Sequence, residues 1–234
     1  YSRLHNSLKE GLQLLGHEVD IIGNGDGFKN YPVDFSIKAK WFESYVGNIP
    51  RQILYRTLRF DLAKLEQGIR FFFLLPKLKK YDIVQLINES PIQTQKTLEL
   101  YLLKKLFKQN NTIFLLSCGV DYLSVKFLME KKINKSILQS FFENPKLKDN
   151  YNYVFEYTGL NHKKIHDFIY HNTRGIIASD IDYVLPLKEN KKYLGMIPNP
   201  VIQNRKDFMP ELAEDTINIF LGINKWNYHQ KGIK

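Results

Sequence analysis

The chain has 234 residues, 44% of them hydrophobic and 14% aromatic, and a formal net charge of +10. That length holds one large domain or two small ones, and the charge fits nucleic acid, an anionic membrane face or phosphate-bearing substrates without choosing among them. Cys118 is the single cysteine, which excludes a disulfide framework and a cysteine-based metal site and makes a reducing, cytoplasmic setting the default.

Ser2 is placed to cap a first helix in which Leu4, Leu8, Leu12 and Leu15 recur at helical spacing, and Gly16 ends it. HEVDII (17–22) reads as a strand. The GNGDGFKNYP that follows carries three glycines, which break any period. One long helix is predicted through Leu54, Leu58, Leu62, Leu65, Ile69 and Phe72, stopping at Pro76. DIVQLI (82–87) is a strand, 92–107 a helix and TIFLLS (112–117) a strand. A helix-prone middle leads to a helix at 163–172 and the strand GIIAS, and KYLGMIPNP and TINIFLGI end the chain. The longest apolar run, IRFFFLLP, is too short to span a bilayer.

Helices alternating with near-continuous apolar strands predict an α/β fold, a doubly wound, Rossmann-like parallel sheet that includes the strands at 17–22, 82–87 and 112–117. Such a fold opens on a strand that leads into a turn and helix. Here a helix comes first, so the first strand is expected before Tyr1. Residues 1–200 are expected to form this domain, and 201–234 a linker and the start of a second.

Loops at the carboxyl ends of parallel strands line the ligand crevice of such folds. This makes candidates of NGDG (24–27), with Asn24 and Asp26; NES (88–90), with Asn88 and Glu89; and CGVD (118–121), with Cys118, Gly119 and Asp121. Each has a plainer reading. NGDG and NES are ordinary turn sequences, and Asp121 is a good N-cap for a helix starting at Tyr122. Segment 51–80 mixes Arg51, Arg56, Arg59, Lys64, Arg70, Lys77, Lys79 and Lys80 with Phe71, Phe72 and Phe73. A basic amphipathic helix of this kind either lies on an anionic membrane or packs as a core helix with a solvated face. His162 and His166 stand at i and i+4, but no carboxylate joins them at ligand spacing and no H-E-x-x-H occurs, so no metal is expected.

SLKEGLQLLGHEVDII, YDIVQLI, SCGVDY, GIIASDIDYVLP, GMIPNPV and FLGINKWNYHQKG follow one another in an order and spacing that resemble the GT-B glycosyltransferases of the retaining, family-4 type. The resemblance extends over nearly the whole chain. It implies the acceptor-side domain of a two-domain enzyme that moves a sugar, with retention, from a nucleotide-sugar to a glycan or lipid-linked acceptor. It further implies surface polysaccharide synthesis in the cytoplasm, with peripheral contact to an anionic membrane, no metal, no other cofactor and no nucleic acid. Acceptor binding is thereby assigned to Asp121, Cys118, Gly119, Asn88, Glu89, Asn24 and Asp26. The donor diphosphate is assigned to Gly222, Asn224, Lys225 and Lys231, where fixed cations would stabilise the charge of a departing diphosphate; the plainer reading of that stretch is a solvated basic tail.

The chain departs from the family pattern at two of these positions. Cys118 stands where the family commonly has His, and Lys225 where it commonly has Arg; a thiol is no substitute for an imidazole, nor an ammonium for a bidentate fork. The family's donor-sugar glutamates would lie beyond Lys234, so these 234 residues are expected to show no turnover by themselves. The alternative is a non-catalytic basic α/β module binding an anionic membrane surface or nucleic acid. The absence of RNP, KH and zinc-finger patterns counts against the nucleic-acid form.

Overall fold

The computed structural model describes residues 3–25, 31–131, 133, 136–198 and 200. Helix α1 (Arg3–Leu14) ends at Gly16 as expected. Its φ of +84° is one that side chains resist, and the Gly16 and His17 N–H groups close the last turn on the Gln13 and Leu12 carbonyls. The leucine stripe is only half buried, and Leu15 is exposed.

Of the strand expected at 17–22, only the end pairs: β1 (Ile22–Gly23) runs parallel to β2 (Phe35–Ser36). The Asp34 carboxylate, itself held by Lys9 at 2.6 Å, accepts the Ile21 N–H at 2.7 Å. A side chain thus satisfies a donor that a ladder would otherwise take.

The helix expected to run unbroken from Leu54 past Phe72 is in fact two, α2 (Tyr45–Leu58) and α3 (Leu62–Leu74). Arg59, left-handed at φ +54°, turns the chain, and the Arg59 and Phe60 N–H groups fold back on the Tyr55 and Leu54 carbonyls. Asp61 then starts α3. Its carboxylate accepts the Ala63 N–H at 3.0 Å and grips Arg51 at 2.7 Å. Aspartate favours a helix start over a helix interior, a preference the apolar period does not register.

The rest of the fold is β3 (Val84–Ile87), α4 (Lys96–Gln109), β4 (Ile113–Ser117), α5 (Tyr122–Met129), α6 (Gln139–Glu143), α7 (Asn152–Phe155), α8 (Leu160–Asn172), β5 (Gly175–Ala178), α9 (Ile181–Leu187) and β6 (Tyr193–Met196). Helix α4 begins later than the expected residue 92 because Glu99 reaches back to accept the Ile92 and Gln93 N–H groups at 3.0 Å, holding them in a loop.

β3, β4, β5 and β6 form one sheet in that order, every pair parallel. The expected α/β class and parallel sheet are found. The pair β1–β2 forms a separate parallel sheet, contrary to the expectation of a single one. Side chains link the two sheets at both ends: Tyr81 donates to Asp20 ahead of β3 and β1, and Asn24 donates to Gln93 at 3.0 Å beyond them.

The main core joins Leu86, Ile113, Leu115 and Ile176 of the sheet to Leu102, Leu103 and Leu106 of α4 and Ile165 and Ile169 of α8. A smaller cluster of Val125, Leu138, Tyr151 and Val154 sits beneath α5, α6 and α7. No helix among the described residues is long and apolar enough to cross a membrane.

Candidate functional site

The loops after β3 and β4 meet at the carboxyl edge of the four-stranded sheet, and the side chain of Asn88 joins them. Asn88 adopts φ +71°, a left-handed conformation that asparagine tolerates better than most residues. Its amide donates to the Cys118 carbonyl at 2.6 Å and the Val120 carbonyl at 2.8 Å, while its Oδ1 accepts the Ser90 N–H at 3.0 Å. Gly119, between those carbonyls, has φ +66°. A side chain there would be strained, and its Cβ would lie 3.5 Å from the Asn88 amide nitrogen.

Two carboxylates sit behind this stitch at the start of α5. Asp121 is the N-cap: Oδ1 accepts the Ser124 N–H at 2.7 Å and Oδ2 accepts the Ser117 hydroxyl at 2.7 Å. Glu89 supplies a second anchor, its Oε2 accepting the Tyr122 N–H at 3.0 Å. Both carboxylates thus face the positive end of α5. Glu89 is 2% exposed and Asp121 1%.

The other Glu89 oxygen lies 2.6 Å from Nδ1 of His166, which projects from α8. Burial pushes the Glu89 carboxyl above its ordinary value, and the neighbouring Asp121 adds to this, while His166 and the Tyr122 N–H oppose it. The His166 ring stacks against Tyr122 and Tyr170, with centroids 4.8 and 4.0 Å away. The Tyr170 hydroxyl is enclosed without a hydrogen-bond partner, and burial beside Asp121 and Glu89 drives its pKa up. One helical turn earlier, His162 stacks on Tyr157 at 4.4 Å; burial, then Lys96 and Lys64, lower its pKa to about 4.

Below the β3 loop, Glu99 is fully enclosed. It accepts from the Ser90 hydroxyl at 2.6 Å and pairs with Lys96 at 2.9 Å. The loop bearing the candidate residues is therefore held from both sides.

Asn88, Glu89, Cys118, Gly119 and Asp121 are brought together at the carboxyl edge, and the side chains of Asn88, Glu89 and Asp121 are engaged within the chain. Glu89 does not lie on a crevice wall; it is interior, because it anchors both α5 and His166. The Asn88 amide is fully occupied by backbone. Asp121 is the helix cap of its plainer reading, and in this conformation neither oxygen is open to an acceptor hydroxyl. Cys118 is a half-buried thiol, its pKa raised by burial to about 11, unsuited to serve as a nucleophile. Asn24 stands apart, tied to Gln93. Asp26, Gly222, Asn224, Lys225 and Lys231 lie outside the described residues, as does the expected linker and second domain at 201–234.

His166, Tyr122 and Tyr170 were not among the predicted site residues. The available signal was the stripe of His162, His166 and Tyr170 at successive i, i+4 steps, which a search for metal ligands passes over. In the tautomer whose Nδ1 proton is directed to the Glu89 carboxylate, Nε2 of His166 would be an acceptor for a hydroxyl proton, the logic by which a carboxylate orients an imidazole. Among the described residues no three His, Cys, Asp or Glu side chains gather as a metal site. Two surface hollows lie away from the cluster, one along α2 and one beside Thr173, Arg174 and Lys192 at the opposite edge of the sheet.

Comparison with protein-family models, with curated proteins and with solved structures gives no match to this chain.

Proposed function

We propose that the chain is the acceptor-side domain of a retaining glycosyltransferase and that the carboxyl edge of its sheet receives the acceptor sugar. The observation that carries this reading is His166, held by buried Glu89 at 2.6 Å beside the β3 and β4 loops. The resembled family commonly has an imidazole where this chain has Cys118; here an imidazole comes to the same cluster from α8. The residue-type departure at Cys118 is thereby compensated within the site.

In this reading Nε2 of His166 accepts a hydrogen bond from the acceptor hydroxyl and orients its oxygen. That oxygen bonds to the anomeric carbon of the donor sugar, the bond from that carbon to the diphosphate breaks so that the diphosphate leaves as its anion, and the hydroxyl proton passes to Nε2 of His166. Lys225 and Lys231 are the cations that would stabilise the diphosphate. The nucleotide-sugar is substrate, no resident metal is invoked, and the setting is the cytoplasm.

The test is calorimetric titration of the purified chain with neutral and N-acetylated mono- and disaccharides, alongside an assay of nucleoside diphosphate release from nucleotide-sugars. Saccharide binding that weakens about tenfold or more in His166→Ala, without sustained turnover, is the expected result; one lost hydrogen bond to a sugar hydroxyl accounts for that loss. Saccharide binding indifferent to His166, or no saccharide binding, would contradict the reading.

A further inference from the structure

Helix α2 contributes nothing to the core: none of its 14 residues is buried. Its inner side is marked by Arg51, bound to Asp61, and by half-buried Leu54. Helical spacing sets Tyr45, Val46, Ile49 and Ile53 on the opposite stripe, where they are 92%, 74%, 58% and 59% exposed. Trp41, in the turn before the helix, is 76% exposed. A shallow hollow follows the stripe, lined by Ser44, Tyr45, Asn48, Ile49, Ile53 and Arg56 among others.

The charges around this stripe are nearly all of one sign. Exposed Lys38 and Lys40 precede it and exposed Arg56 and Arg59 end it, while Glu43 is the single acid from Lys38 to Arg59. Large apolar and aromatic groups held outward and bordered by cations are the composition of a helix that lies in a lipid interface, where Trp and Tyr place an apolar body inward and a polar tip in the headgroups.

We infer that this face docks on an anionic bilayer. Helix α2 lies in the interface plane, with Trp41, Tyr45, Val46, Ile49 and Ile53 entering the headgroup–acyl boundary and the basic residues drawn to lipid phosphates. The charge pattern selects a bilayer over a second copy of the chain, because two copies joined through this face would oppose like charges on a protein already at +10. The inference stands on α2 and its flanks and is independent of the transferase reading. It also moves the membrane contact from the whole of 51–80 to Trp41–Arg59, since α3 turns several of its side chains into the core.

Co-sedimentation of the purified chain with phosphatidylcholine vesicles, with and without phosphatidylglycerol, tests it. Binding to the anionic vesicles is expected, weakening as salt rises, with a blue shift of Trp41 emission in a Trp226→Phe background. Ile49→Asp combined with Ile53→Asp should lower the partition constant more than about tenfold, through lost apolar burial. Arg56→Gln and Arg59→Gln should each lower it about fivefold. Ile49→Ser with Ile53→Ser serves as a milder pair, and unchanged circular dichroism certifies the fold of each variant. No binding to anionic vesicles, or binding that the paired variants leave unchanged, would overturn the inference. So would a dimer in sedimentation velocity that the same pair dissolves, which would assign the face to a second copy.

Discussion

At the carboxyl edge of the sheet the side chains that matter are polar and turned inward, whereas on α2 they are apolar and turned outward. Each oxygen of Glu89 and Asp121 has a partner within 3.0 Å, and the two loops are stitched by one asparagine. Helix α2 is held through its flanks, chiefly by Arg51 on Asp61 and by the Glu66 carboxylate, which accepts the N–H groups of Lys40, Trp41 and Phe42 at 2.9–3.1 Å. The contrast teaches where stability resides. A buried polar network is costly to disturb because each lost partner leaves a desolvated group unpaired, while an outward apolar face adds little to folding and is open to a surface outside the chain.

Glu89→Ala should break this comparison most severely. It leaves His166 and the Tyr122 N–H without their acceptor, and a loss of about 3 kcal/mol is expected, roughly 6–12 °C in melting temperature by calorimetry. A loss under about 1 kcal/mol would mean that the edge is no more rigid than a surface loop.

Glu66 tests how α2 is tethered. Burial raises its carboxyl, but the three backbone N–H groups and Arg70 outweigh that and hold it at about 2, against an ordinary 4.5. Between those values the unfolded chain binds the extra proton, so stability from Glu66 is full above pH 4.5 and is lost as pH falls toward 2. Glu66→Ala should cost about 2 kcal/mol near neutral pH. Urea midpoints at neutral and acidic pH should converge between wild type and variant as the acid end is approached; a constant difference would refute the tether.

Asp121→Ala should cost about 1 kcal/mol by loss of a cap, and Asp121→Asn much less, since asparagine also caps well. Equal losses for the two would point to its charge rather than its geometry. Smallest is Ile53→Ser on the outer stripe of α2, expected within about 0.5 kcal/mol; a cost above 1 kcal/mol would show that α2 packs on something within the chain.

The strands of the main sheet were legible because near-continuous apolar runs at 82–87, 112–117 and 175–179 leave few other structures open to them. The loops that follow them were legible as a consequence, by position alone. The break at Arg59 was not, because Leu58, Leu62 and Leu65 carry the apolar period straight across it; only Asp61, read as a cap, announces the second helix. The Glu89–His166 pair spans 77 residues and depends on how α8 packs against α4 and α5, which no local pattern encodes. The predicted helix followed Leu54, which lies on the inner side of α2, and Tyr45, Val46, Ile49 and Ile53 formed no part of it: periodicity reports that a face exists, not what covers it.

The most direct test of the account is amide NMR on the isotopically labelled chain, titrated with the same saccharides. The prediction is shift changes concentrated at Asn88, Gly119, Tyr122 and the His166 side chain, and largely absent in His166→Ala. Shifts confined to α2, to the opposite edge of the sheet, or identical in wild type and variant would contradict an acceptor site at the carboxyl edge.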